Sequence, residues 1–430
     1  MEIKRDRYLN QLIMRKGNGF IKVITGIRRS GKSYLLNNLF YHHLIGEGID
    51  PSHIIRFAFD SSDDLGLIDE NPLELEETKR KADPQKFTKY VSSKIKDGGT
   101  YYLLLDEVQN LGAFEAVLNG YLRKSNLDVY VTGSNSKFLS TDILTEFAGR
   151  GDEIHMLPLS FSEFASCYEG SVDEALDEYF VYGGLPAVAS MTDETQKAQY
   201  LKAQMQNVYL RDIVDRYGLR NEDWLGELVD ILASGTATLV NPAKLSNTFK
   251  SIKKAAVSDV TIAKYIGHLE DAFLIKKAKR YDVKGKKYIS TPFKIYFEDV
   301  GLRNARLDFR QIEETHLMEN IVFNELRCRG FNVDVGAVEQ RRNIEGKADR
   351  KWLEVDFVAN LGRKKYYVQS AYDLPDEEKM KQETNSLDRI GDSFKKVIVV
   401  NKTMKPRTTE KGYLLLSLKD FLLHEDSLDF

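Results

Sequence analysis

Cysteine is nearly absent: Cys167 and Cys328 are the only two in 430 residues. They stand far apart and have no metal-ligand spacing, so a reducing compartment with two buried thiols is expected. No apolar run approaches the roughly 18 residues that a membrane helix needs. The N-terminal stretch Met1-Glu-Ile-Lys-Arg-Asp-Arg7 lacks a signal-peptide core, so a cytoplasmic location with no membrane partner is expected. Charge of one sign is also lacking. There are 62 Lys and Arg against 65 Asp and Glu, a net charge of −3. No global field therefore attracts nucleic acid, and any such contact needs a local patch. What is present is ordinary for a globular chain: 42% apolar, 30% charged, 22 Tyr and 22 Phe. The aromatic share argues against long disorder, and the length suits roughly three domains.

The most informative stretch runs from Phe20 to Ser33. An apolar, β-branched run (Phe20 to Thr25) meets a loop that reads G-x-x-x-x-G-K-S from Gly26 to Ser33. A leucine-bearing segment follows, so the order is strand, loop, helix. This is the phosphate-binding P-loop pattern. Glycine lets the backbone curl its N–H groups around an anion, and the following helix aims its positive end at the same place. Gly26, Ile27, Arg28, Arg29, Ser30, Gly31, Lys32 and Ser33, with Tyr34 after them, are the candidate nucleotide contacts. Lys32 suits the β- and γ-phosphates, and the Ser33 hydroxyl suits Mg²⁺. Asp60 to Glu77 holds eight acids and no base, which reads as a solvated loop.

Tyr101-Tyr-Leu-Leu-Leu-Asp-Glu107 is the second decisive stretch. Five apolar residues make a buried strand that ends in two carboxylates, at the end that faces nucleotide in a parallel sheet. Asp106 is placed to hold Mg²⁺ through water, and Glu107 to orient and deprotonate an attacking water. A third strand, Asp128 to Thr132, ends in Gly133-Ser-Asn-Ser136. A polar side chain there lies between the two earlier motifs, and Ser134 and Asn135 both qualify. Arg150 precedes a further strand. It is placed either to reach a neighbouring subunit's γ-phosphate as a finger or to be a surface arginine.

These stretches resemble an AAA+ ATPase, and more narrowly the prokaryotic AAA family whose C-terminal half is the DUF4143 domain. Tyr182-Gly-Gly-Leu-Pro186, Tyr209-Leu-Arg-Asp-Ile213 and Glu354-Val-Asp-Phe357 carry the likeness onward. The resemblance implies a multidomain α/β protein that binds ATP and Mg²⁺. Residues 1–161 would be a parallel-sheet P-loop AAA+ core, and residues 162–225 a helical lid over nucleotide. In the lid, Ser162 is a candidate cap, Asp173 to Tyr182 reads as a helix, and a longer helix runs from about Glu194 to Tyr217. Arg211 and Arg216 are placed either to present charge to phosphate or to pair with Asp212 and Asp215, which are close enough in sequence on that helix.

Between residues 241 and 290 the sign of charge changes, with twelve bases against four acids. Helix, helix, basic hairpin is the order of a winged helix-turn-helix, placed at residues 226–300. Ser258 would cap its recognition helix, on which Thr261, Lys264 and His268 share a face. Lys284, Lys286 and Lys287 would sit on the wing. DNA and a docking protein are both open as partners, as is a second copy of the chain.

Residues 301–430 read as helix, three strands, helix, strand, which resembles restriction-endonuclease-like enzymes. Such enzymes use an acid on the second strand and Glu-x-Lys on the third to bind Mg²⁺ and activate water. Asp356, with Glu354 near it, fits the first acid, and Glu319 or Glu325 would add one from the helix. Gln369 stands where the Glu should be and Ala371 where the Lys should be. A nuclease-like fold without nuclease activity follows, with Lys364 or Lys365 as the only neighbouring replacements.

Overall fold

The computed structural model describes residues 3–133, 149–219, 221–253, 257–344 and 347–430. The chain divides into two compact units, one ending at Leu157 and the other starting at Pro158. Both cysteines are buried and form no disulfide. Among the described residues, no helix is long and apolar enough to cross a membrane.

The first unit is built on five strands: β1 (Ile21–Thr25), β2 (Ile54–Ala58), β3 (Tyr101–Asp106), β4 (Leu127–Thr132) and β5 (Gly151–His155). All pair in parallel, in the order β2-β3-β4-β1-β5. Strands β1 and β3 are buried at every position. That explains their unbroken apolar runs, because a parallel sheet is covered on both faces. Lys22 is the exception in β1. Its amine is fully buried, ion-paired to Asp128 of β4 and set over the Tyr130 ring at 4.5 Å. Since β4 lies between β1 and β3, three adjacent strand ends converge: Thr25 leading into the P-loop, Asp106 with Glu107, and Thr132.

In the second unit, helices cover Phe161–Ser166 and Val172–Tyr182. Each begins with a Ser whose hydroxyl accepts from the backbone of a Glu three residues on, while that Glu reaches back to the cap. The caps are Ser160 and Ser171, so the expected cap at Ser162 is corrected: Ser162 already lies in the first turn. Glu194–Ala203 continues through a π-helical turn, Gln204–Leu210, into Arg211–Tyr217. Arg216 pairs with Asp212 at 2.5 Å and Arg211 with Asp215 at 3.9 Å.

Tyr182-Gly183-Gly184 turns where another helix begins. The Gly184 N–H donates to Asp299 at 2.8 Å, and Asp299 also accepts from Leu302 at 2.9 Å as the cap of Val300–Arg306. Gly183 has φ +72°, and a Cβ there would lie 2.4 Å from the Asp299 carboxylate.

Helices Glu222–Ser234, Pro242–Lys253 and Asp259–Asp271 come next. The remaining strands are β6 (Leu239–Val240), β7 (Ile275–Asp282), β8 (Lys287–Phe297), β9 (Asn332–Ile344), β10 (Lys347–Leu361), β11 (Lys364–Ala371), β12 (Lys395–Val400), β13 (Arg407–Thr408) and β14 (Leu414–Ser417). They form one sheet in the order β13-β14-β12-β11-β10-β9-β7-β8-β6. The parallel pairing of β7 with β9, from Arg280↔Val335 to Asp282↔Ala337, joins the basic hairpin to the C-terminal strands. The sheet is therefore continuous across residue 300. The helix Glu314–Cys328 packs on it.

Candidate functional site

Two glycines shape the P-loop. Gly26 has φ +136°, and a Cβ there would stand 2.1 Å from the Met156 carbonyl oxygen. Gly31 has φ +95° at the loop's exit. A side chain at Gly26 would have to move the Met156 backbone, and one at Gly31 would strain a left-handed conformation. Lys32 is buried, and its Nζ donates to the carbonyls of Gly26 at 3.0 Å and Ile27 at 2.9 Å. The ammonium thus sits inside the loop. Behind the loop, the buried Arg5 guanidinium donates to the carbonyls of Ser30 at 3.3 Å and Leu157 at 2.6 Å. Sequence reasoning did not single out Arg5.

Asp106 ends β3 beside the P-loop helix. Burial pushes its carboxyl up, while hydrogen bonds from Thr132 and Ser33 oppose that. The Asn37 side-chain amide reaches its other oxygen at 3.3 Å. Ser33 and Asp106 thus meet as the sequence pattern requires. A hydroxyl and a carboxylate oxygen side by side form a hard-oxygen pair fit for Mg²⁺. Glu107 follows in a left-handed conformation, φ 49° and ψ 44°, which is strained for a non-glycine residue. Its N–H donates to the Thr132 hydroxyl at 3.3 Å, and Gln109 donates to its carboxylate.

Thr132 therefore touches both acids from the strand end between the two motifs. Ser134 and Asn135, expected to act there, lie outside the described residues. The acidic stretch read as a solvated loop instead holds the helices Ser62–Gly66 and Pro72–Thr78, with Glu70 buried and paired to Lys86 at 3.0 Å. Asp60 is exposed, yet partial desolvation and then the charges of Asp106 and Glu107 push its carboxyl up. Its position directly after β2 was the available signal, since β2 ends alongside β3. Arg150 is exposed at the start of β5, where its carbonyl accepts from Ile21. That is the sheet edge opposite the P-loop, so Arg150 does not enter its own chain's site.

A second cluster lies under the helix Glu314–Cys328. The Lys294 amine from β8 bridges Glu319 at 2.8 Å and Glu354 at 2.6 Å. The Tyr296 hydroxyl donates to Glu319 at 2.6 Å. Asp356 is buried next to them and accepts from the Ser370 N–H at 2.8 Å. Its carboxyl is pushed up by burial and then by the Glu319 charge. Burial pulls the Lys294 amine down, but Glu319, Asp356 and Glu354 outweigh it and hold the amine above its ordinary value. A bulge in β10 between Val355 and Val358 lies at Asp356 and re-aims side chains there. The Gln369 amide donates to Glu383 at 3.3 Å, and Ala371 is part of the apolar core. Glu325 does not join the cluster; it pairs with Arg329 at 2.7 Å. Lys364 pairs with Asp429, and Lys365 lies over Tyr367. The replacement cation is Lys294, from a strand no local motif connects to this site.

On the helix Asp259–Asp271, capped by Ser258, Lys264 is exposed. Lys284, Lys286 and Lys287 are exposed between β7 and β8. His268 is corrected as a base reader: it is buried, its ring stacked on Tyr217 with centroids 3.4 Å apart.

Two family models match. An AAA domain covers residues 18–165, and a domain of unknown function, DUF8612, covers residues 173–313. DUF8612 stands where DUF4143 was expected, and it covers most of the residues expected to form the lid and all of the basic middle of the chain. An uncharacterized protein of Haemophilus influenzae is 35% identical over 98% of each chain. Protein MJ1544 of Methanocaldococcus jannaschii, also uncharacterized, is 30% identical over 84% of this chain and 77% of its own. Among solved structures, the Aeropyrum pernix ORC1 protein in complex with DNA is 12% identical. It covers 71% of this chain and 92% of its own, at a TM-score of 0.31. Protein VC1899 from Vibrio cholerae is 13% identical over 95% and 96%, at 0.20. Scores that low carry no argument. Matched almost end to end by its Haemophilus relative, the chain belongs to the family of these two uncharacterized proteins and carries an AAA domain.

Proposed function

We propose that this protein is a Mg²⁺-dependent ATPase that hydrolyses ATP to ADP and phosphate. The observation that carries the reading is the convergence on one sheet edge of the P-loop Lys32 and Ser33, Asp106 and Glu107. Lys32 binds phosphate oxygens. Ser33 and Asp106 would hold Mg²⁺, which supplies charge neutralisation at the β- and γ-phosphates. Glu107, aimed by Thr132 and Gln109, orients the attacking water and takes its proton. Residues 162–225 act as the lid, and turnover is coupled to motion on a nucleic acid or protein partner. The position of Arg150 supports a finger role in a neighbouring copy only.

Phosphate release across a range of protein concentrations tests this. Wild type is expected to turn over, with specific activity rising with concentration and Arg150→Ala removing that rise. Glu107→Gln is expected to lose about 10² to 10⁴ in rate while still binding ATP. ATP binding with no turnover above Glu107→Gln would instead make the protein a nucleotide switch or docking protein.

The helix order and exposed lysines support a winged helix with a sequence-independent DNA contact. Gln369 and Ala371 support a C-terminal nuclease-like domain that does not cut.

A further inference from the structure

A cluster of three carboxylates, two on β10 and one on the helix packed over it, invites a divalent metal ion. The structure shows a different cation in its midst. Lys294 sits on β8, 4% exposed, and its ammonium lies 2.8 Å from Glu319 and 2.6 Å from Glu354. Tyr296, two residues on, gives its hydroxyl to Glu319, and its ring stacks on Phe323 at 4.1 Å. Asp356 is satisfied from the other side by the Ser370 N–H. One oxygen of each carboxylate is therefore already engaged, by the amine, the phenol or a backbone amide. Among the described residues, no group of His, Cys, Asp or Glu is arranged to hold a metal ion.

We propose that Lys294 is a built-in counter-cation that closes this centre to divalent ions. A divalent ion about 2.0–2.1 Å from these carboxylates would stand against the ammonium already set between them, and like charges that close in a buried centre repel strongly. The amine has nowhere to withdraw to. It is anchored on a paired strand, and withdrawal from the three acids would leave its buried charge unpaired. The lysine arrives from the basic hairpin, which pairs with β9 through β7. The lock therefore ties that hairpin to the C-terminal strands. This inference stands apart from the ATPase reading, and the Glu107→Gln result does not bear on it.

The test is Mn²⁺ binding to the full-length, nucleotide-free protein, read by electron paramagnetic resonance and by thermal shift. Wild type and Asp356→Asn are expected to bind Mn²⁺ identically. Lys294→Met is expected to gain a Mn²⁺ site and a Mn²⁺-dependent rise in melting temperature, both lost again when Asp356→Asn is added. Mn²⁺ bound by wild type and lost in Asp356→Asn would overturn the proposal. So would a folded Lys294→Met protein that gains no site. If Lys294→Met does not fold, the comparison of wild type with Asp356→Asn decides. A DNA-nicking assay with Mn²⁺ adds a further arm: cutting by wild type that Asp356→Asn abolishes would show that the centre is open.

Discussion

The Thr132 hydroxyl ties the two acids of the proposed hydrolytic site to one strand end. It donates to Asp106 and accepts from the Glu107 amide, so one oxygen sets the carboxylate proposed to hold Mg²⁺ and the backbone of the proposed base. Thr132→Val keeps the shape and the strand propensity but removes both hydrogen bonds. The Asp106 carboxylate, already pushed up by burial, loses a donor. Glu107 loses the acceptor that steadies a left-handed backbone. Phosphate release is expected to fall by about 10- to 100-fold, the usual cost of losing a group that orients a catalytic ligand. ATP affinity is expected to hold, because the P-loop is untouched. An unchanged rate in the same assay would remove Thr132 from the site.

Among elements, the glycine turn at Tyr182-Gly-Gly and the helix Val300–Arg306 lock together most tightly. A Cβ on Gly301 would lie 2.0 Å from the Tyr182 carbonyl oxygen and 2.9 Å from the Gly183 nitrogen. Those are backbone atoms at a turn whose next amide is held by Asp299, so they cannot slide aside. Gly301→Ala is expected to destabilise the second unit by about 1–3 kcal/mol, the range for overpacking a filled site. Urea unfolding followed by tyrosine fluorescence reads it. A midpoint equal to wild type would mean that the close approach is not maintained in solution. Here the motif was legible and its reason was not. Gly183 and Gly184 announce a chain break, but the partner that demands glycine is more than a hundred residues away.

The whole molecule carries net charge −3, but residues 241–290 hold twelve bases against four acids. Binding to DNA through exposed Lys284, Lys286 and Lys287 would be a phosphate contact, with affinity falling as salt rises. Replacing all three with glutamate is expected to weaken binding to any duplex by a similar factor. It should also flatten the dependence of log affinity on log salt by up to about 3. Fluorescence anisotropy with two unrelated duplexes measures both. A slope that does not change would place the DNA contact elsewhere or dispense with it.

The nucleotide site was legible because its parts are local. A P-loop needs glycines and a lysine within eight residues, and a buried strand ending in two acids shows as five apolar residues before Asp106. Parallel pairing then brings those segments together through backbone hydrogen bonds that any such strands make. The second centre was only half legible. Glu319, Glu354 and Asp356 lie on a helix and a strand whose periodicity shows in the sequence, and Gln369 and Ala371 announce the missing pair. Lys294 falls just past the basic window of residues 241–290 and belongs to no motif. Only the parallel pairing of β7 with β9, a long-range register that no short motif encodes, carries that amine under the helix. There, burial away from water makes it the partner the three acids require.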